Sequence, residues 1–150
     1  INTPPKRKGI QNMTTYNIFI SHAWKYTEHY NKIVQWLDEA QAEGKFKWKN
    51  YSVPEHDPLI DPNSSVGKTK LKSELNEQIR PASKVIILAG MYAAYSDWID
   101  YELTTAVYMN KYIIGVKPWG QERIPTIISN NSDTIVGWNK DSVINAILNS

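Results

Sequence analysis

In the run DWIDYEL, residues 97–103, Trp98 and Glu102 stand four positions apart, so a helix there sets an indole and a carboxylate on one face, a single turn apart. Two readings of the pair follow. Either that face overlooks a ligand crevice, or Glu102 is a solvated carboxylate near a helix N-terminus and Trp98 belongs to the core. Other chemistry-bearing residues are easier to set aside. His22, His29 and His56 lack metal-ligand spacing, since the first two are seven apart across a strand-to-helix junction, and no metal is expected. VGKTK, 66–70, imitates the end of a phosphate-binding loop, but Pro62 holds the first glycine position and no apolar strand runs into it. With no cysteine there is no thiolate zinc site, no cysteine nucleophile and no disulfide framework.

The elements that would position these residues read as an alternation. YNIFIS, 16–21, is a buried strand, and residues 26–43 carry Tyr30, Ile33, Val34, Leu37 and Ala40 at helical spacing, with Gly44 as a stop. FKWKNYSV, 46–53, alternates apolar and polar residues as an edge strand does. Pro54, Pro58, Pro62 and Gly67 then predict a long loop to about residue 69, followed by a helix over 70–80 stopped at Pro81. SKVIILAG, 83–90, is the most apolar run and reads as the central strand. A helix from about 98 to 110, capped by Ser96 or Asp97, a strand at 111–117, a short helix at 124–129, a strand at 133–137 and a helix at 140–148 complete the series.

Five strands each followed by a helix predict an α/β fold, a flavodoxin-like three-layer sandwich with a five-stranded parallel sheet of order 2-1-3-4-5. Ligands of such sheets bind beyond the carboxyl ends of the strands, at the switch point between strands 1 and 3. Ser21, His22 and Trp24 after strand 1, Gly90 to Tyr92 after strand 3, and the loop carrying His56 and Asp57 are the candidates there. A flavin phosphate is not expected, because SHAWKY is bulky and has no glycine to let backbone N–H groups approach. A phospho-receiver is not expected either, since Ser21 and Gly90 stand where that chemistry needs acids.

The 150 residues predict one domain, and 41% hydrophobic against 21% charged residues argues for a packed core over disorder. The formal charge is +2, yet Lys6, Arg7 and Lys8 lie in residues 1–12, which also hold two prolines and no acid. We read 1–12 as a flexible leader and 13–150 as the domain, whose own charge is then slightly negative; no nucleic-acid footprint is expected on it. No apolar run reaches the roughly 18 residues that span a bilayer, so no membrane contact is expected and a cytoplasmic location is the simplest assignment.

YNIFISHAW, the proline-bearing loop, SKVIILAG and W-x-x-x-E, in that order over about residues 16–148, resemble a TIR domain. More narrowly, YNIFISHAW, SVPEHDP and the DWIDYEL segment resemble the TIR-like subunit of the Thoeris anti-phage system. The chain departs from animal TIR domains: His22-Ala23-Trp24 replaces a tyrosine-centred junction and SVPEHDP replaces their R-D-x-x-P-G loop, which speaks against receptor-type adaptor behaviour.

The resemblance implies that Glu102 is the catalytic glutamate of an enzyme that breaks the nicotinamide–ribose bond of NAD+, a substrate here, with no cofactor needed. It further implies a gating or assembly role for the loop with His56 and Asp57, self-assembly of TIR domains, and a cyclic ADP-ribose isomer or related signal acting on a downstream effector. From the residues themselves, Trp24, Tyr92 and Trp98 offer flat partners for the substrate rings, with Trp98 expected chiefly to be buried and to set its helix against strand 3, and Ser21 and His22 are candidates to bond ribose or phosphate oxygens. One carboxylate is enough for such chemistry. Nicotinamide leaves as a neutral molecule, so no general acid is required, and the carboxylate stabilises the oxocarbenium-like charge at the anomeric carbon. Two alternatives stand beside this: a non-catalytic TIR scaffold, and a nucleoside deoxyribosyltransferase-like enzyme that turns a glutamate on a nucleoside anomeric carbon.

Overall fold

The computed structural model describes residues 14–21, 27–52, 65–88, 96–117 and 124–150. Five strands, β1 (Thr15–Ser21), β2 (Lys47–Asn50), β3 (Lys84–Leu88), β4 (Tyr112–Val116) and β5 (Thr134–Val136), alternate with helices. The helices are α1 (Thr27–Ala42), α2 (Ser65–Ile79), α3 (Ser96–Tyr108), α4 (Thr126–Asn131) and α5 (Lys140–Leu148). All neighbouring strands are parallel and the sheet order is β2-β1-β3-β4-β5, as the alternation predicts.

The order dictates where each helix goes. The chain steps from β1 out to the edge strand β2 and then back across β1 to β3, so right-handed crossovers place α1 on one face of the sheet and α2, α3 and α4 on the other. Helix α5 packs on α1, while α2 packs on α3 and α3 on α4. Covered on both faces, the central strands are apolar throughout: every residue of β3 is buried, and Phe19, Ile86, Ile87, Ile113 and Ile114 are almost fully so. Tyr30, Ile33, Leu37 and Ala40 form the inner stripe of α1, at the spacing that predicted it. That helix ends at Gly44, whose φ of 79° lets the Lys45 amide return to the Ala40 carbonyl at 3.0 Å.

One charge is buried at the amino end of the sheet. Lys84 pairs across with Tyr112, and its ammonium lies 4.8 Å from the Tyr16 ring centroid and 5.5 Å from that of Tyr112 while donating to the Ser150 hydroxyl. The two ring faces offset part of the desolvation that lowers the lysine pKa.

Several boundaries differ from expectation. Helix α3 already begins at Ser96, so Ser96 and Asp97 are helical residues and not caps, and α4 runs Thr126–Asn131 after Pro125 where 124–129 was expected. Helix α2 begins at Ser65, not near residue 70, and Gly67 lies inside it; an interior glycine costs a helix about 1 kcal/mol, which packing readily overrides, so it does not forbid one. Strand β2 ends at Asn50, three residues short of the alternating pattern, because a side chain takes over the next sheet hydrogen bond, as described below. The leader, residues 1–12, lies outside the described residues.

Candidate functional site

Alternation along β1 turns Asn17, Phe19 and Ser21 to the face covered by α2, α3 and α4. Ser21 is the last residue of the strand, pairs with Ile87 of β3, and is only 1% exposed. On the same face, the inner stripe of α3 carries Glu102, Leu103 and Ala106, at 6%, 1% and 0% exposed. Glu102 thus takes a position that helical spacing assigns to an apolar core residue. The alternative of a solvated glutamate is corrected here, since a carboxylate free in water would not be 94% covered.

Burial sets the chemistry of this group. Removing the carboxylate from water disfavours its charge and pushes the Glu102 pKa from 4.5 up to about 8; the Ser21 hydroxyl close by favours the ionised form and offsets a smaller part. Its Oε2 completes no hydrogen bond among the described residues, and no described cation holds it. Only about a tenth of such a group is ionised at pH 7. A buried acceptor left in this state has a strong unused capacity for a polar or cationic ligand.

The neighbouring edge is built from three residues that sequence reasoning did not single out. The amide of Tyr51 donates to the Ile18 carbonyl at 2.9 Å, a regular continuation of the β1–β2 ladder. The Ile20 amide donates to the Ser52 hydroxyl, also at 2.9 Å. Asn50 accepts from the Ser52 amide at 2.9 Å through its side-chain oxygen and donates from its side-chain nitrogen to the Tyr30 hydroxyl at 2.8 Å. Asn50 and Ser52 have the i, i+2 spacing of an Asx turn, the one signal in the sequence that could have found them.

The structure brings together Ser21 and Glu102, two of the residues proposed from sequence. Trp98 lies on α3 one turn before Glu102; its side chain is outside the described residues, as are His22, Trp24, His56, Asp57 and Tyr92. Among the described residues no group of three or more His, Cys, Asp or Glu could hold a metal ion, and no helix is long and apolar enough to cross a membrane.

Similar folds occur in several solved structures. A 2-deoxyribosyltransferase from Bacillus psychrosaccharolyticus has a TM-score of 0.63 at 19% identity, over 86% of this chain and 90% of that one. The CMP N-glycosidase BcmB of Clostridium botulinum has 0.53 at 11% identity over 87% and 97%, and a type II dehydroquinase from Butyrivibrio crossotus 0.53 at 16% over 93% and 99%. At these identities the likeness concerns the flavodoxin-like fold alone. No curated protein is similar enough in sequence to count as a match. The model of the Thoeris protein ThsB TIR-like domain matches residues 19–123, which runs from the last residues of β1 through β4 and includes both Ser21 and Glu102. With the sheet order and more than half of the chain in agreement, this protein belongs to the Thoeris ThsB TIR-like family.

Proposed function

We propose that this Thoeris TIR-like protein cleaves the nicotinamide–ribose bond of NAD+, with Glu102 as the catalytic carboxylate, and that the product is a cyclic ADP-ribose isomer or a related signal that acts on a separate effector in anti-phage defence. The observation that carries the reading is the buried carboxyl of Glu102, with no cation against it among the described residues, beside the Ser21 hydroxyl at the carboxyl end of β1. Ligands of parallel sheets bind at that end, next to the reversal of strand order between β1 and β3.

The electrostatics fit a cationic substrate. A pyridinium entering a dry site favours the ionised carboxylate beside it, so binding draws a proton off Glu102. As the glycosidic bond lengthens, positive charge moves from the ring to the anomeric carbon, and the carboxylate follows it with no donor needed for the neutral leaving group. Ser21 is paired with Ile87 at the strand end, and in this reading its hydroxyl bonds a ribose oxygen or orients the Glu102 carboxylate. His22, Trp24, Tyr92, Trp98, His56 and Asp57 remain proposed substrate contacts, and TIR self-assembly a proposed route to a complete site.

The test is incubation of the protein with NAD+ and, separately, with 2′-deoxynucleosides, followed by chromatography of the products. Release of nicotinamide together with an ADP-ribose species supports the reading. Base exchange on deoxynucleosides would move the assignment to transferase chemistry, and inertness towards both under activating conditions would leave a scaffold.

A further inference from the structure

We propose that Asn50 is a positioning residue for the Ser21–Glu102 site, acting through Ser52 on the end of β1; the inference rests on Glu102 being the catalytic carboxylate.

Strand β2 leaves the sheet in an unusual way. After the Tyr51 amide has bonded Ile18, the next β1 amide on that side, Ile20, is met by a hydroxyl in the position where a strand would offer a carbonyl. Ser52 is 8% exposed, so this bond is made in a dry setting, where leaving the amide unmatched is costly. A hydroxyl rotates freely and a serine backbone after a strand end has several conformations, so Ser52 needs a second restraint. Asn50 supplies it. The side-chain oxygen fixes the Ser52 amide, and the nitrogen anchors on the hydroxyl of Tyr30, an α1 residue 8% exposed.

Asn50 itself is exposed and contributes nothing to the core, yet both ends of its amide are used, one on the chain leaving β2 and one on the helix that follows β1. What the network holds is the Phe19–Ile20 peptide, one residue before the peptide that carries Ser21. From the other side, β3 holds Ser21 in register with Ile87. Between them, these restraints fix the direction in which the Ser21 hydroxyl meets Glu102. A side chain free to swing by an ångström would lose that contact, and displacements of this size cost up to about a hundredfold in rate at a reacting centre.

Asn50→Ala and Asn50→Asp test this, with carbon-13 NMR of the Glu102 carboxyl (assigned by its absence in Glu102→Gln) and NAD+ turnover as readouts. In Asn50→Ala the Glu102 titration should move to higher pH, because the hydroxyl that favours ionisation is no longer held, while kcat falls on the order of tenfold with KM little changed. Asn50→Asp should restore both, since one oxygen still accepts from the Ser52 amide and the other can accept from the Tyr30 hydroxyl; at an exposed position its charge is screened from Glu102. An unchanged Glu102 titration in Asn50→Ala, a shift that Asn50→Asp fails to reverse, or a shift with unchanged kcat overturns the proposal. A wild-type protein without NAD+ cleavage removes the proposed activity instead, and the titration with its rescue then decides the role of Asn50 alone.

Discussion

The Ser21 hydroxyl at the end of β1 lies against the Glu102 carboxyl on the inner stripe of α3, two groups that are almost fully covered and separated by most of the domain in sequence. Folding places them in contact at a cost. Burial disfavours the charge of Glu102 and keeps it mostly protonated at pH 7, with no partner cation among the described residues, so its ionised form is one that a cationic ligand would favour.

Glu102→Gln should abolish turnover and keep the fold. The amide has nearly the same shape but carries no charge for the oxocarbenium-like state, so NAD+ cleavage should fall by about 10²-fold or more, with unchanged far-ultraviolet circular dichroism. A glutamine variant with wild-type turnover would remove Glu102 from the mechanism.

The same substitution should stabilise the protein in a pH-dependent way. Unfolded, Glu102 titrates near 4.5; folded, at about 8. Between these values the folded state keeps a proton that the unfolded state has lost, so stability is highest below pH 4.5 and declines as pH rises through about 8. Urea melts of wild type and Glu102→Gln at pH 5, 6.5 and 8 should therefore diverge, the variant gaining up to a few kcal/mol at the alkaline end. Parallel curves at all three values would show that the carboxyl is not buried as described.

For the reaction, kcat/KM should rise with pH, reaching half its maximum near pH 8 and levelling off above it, since it follows ionisation of the carboxyl in the free enzyme. The profile of kcat should rise at lower pH, because the bound pyridinium favours the carboxylate. Initial rates from pH 5.5 to 9 with limiting and saturating NAD+ separate the two, and coincident profiles would argue against direct contact between Glu102 and a cationic substrate.

Tyr101, next to Glu102, donates its hydroxyl to the side-chain oxygen of Asn76 on α2 at 2.7 Å, and Lys72 stands 5.2 Å from its ring centroid. Tyr101→Phe removes the bond and keeps the ring, so it should cost about 1 kcal/mol of stability by denaturant titration. A neutral result would mean that the Tyr101–Asn76 bond adds nothing to the packing of α2 on α3.

Much of the architecture could be read from residue order. Apolar runs such as KVIIL and the inner stripe of α1 report burial directly, and strict strand–helix alternation leaves few ways to arrange a parallel sheet, because crossovers have one hand. The pairing of Trp98 with Glu102 on one turn followed from helical spacing alone, and the order of YNIFISHAW, SKVIILAG and W-x-x-x-E was enough to point to the family. Helix starts were less legible: Gly67 looked like a breaker, but an interior glycine is a small penalty beside the packing of α2 on α3.

Tertiary structure alone decided the environment of Glu102. A glutamate near the start of a helix has the same local pattern whether it faces water or the core, and only the packing of α3 over the end of β1 removed its solvent and raised its pKa to about 8. The Asn50, Ser52 and Tyr30 network was equally hidden, since a hydroxyl replaces a strand carbonyl only where two chains have already been brought side by side. Periodicity records which face of an element is buried; the partner that a polar group finds there depends on contacts between residues remote in sequence, which no local pattern encodes.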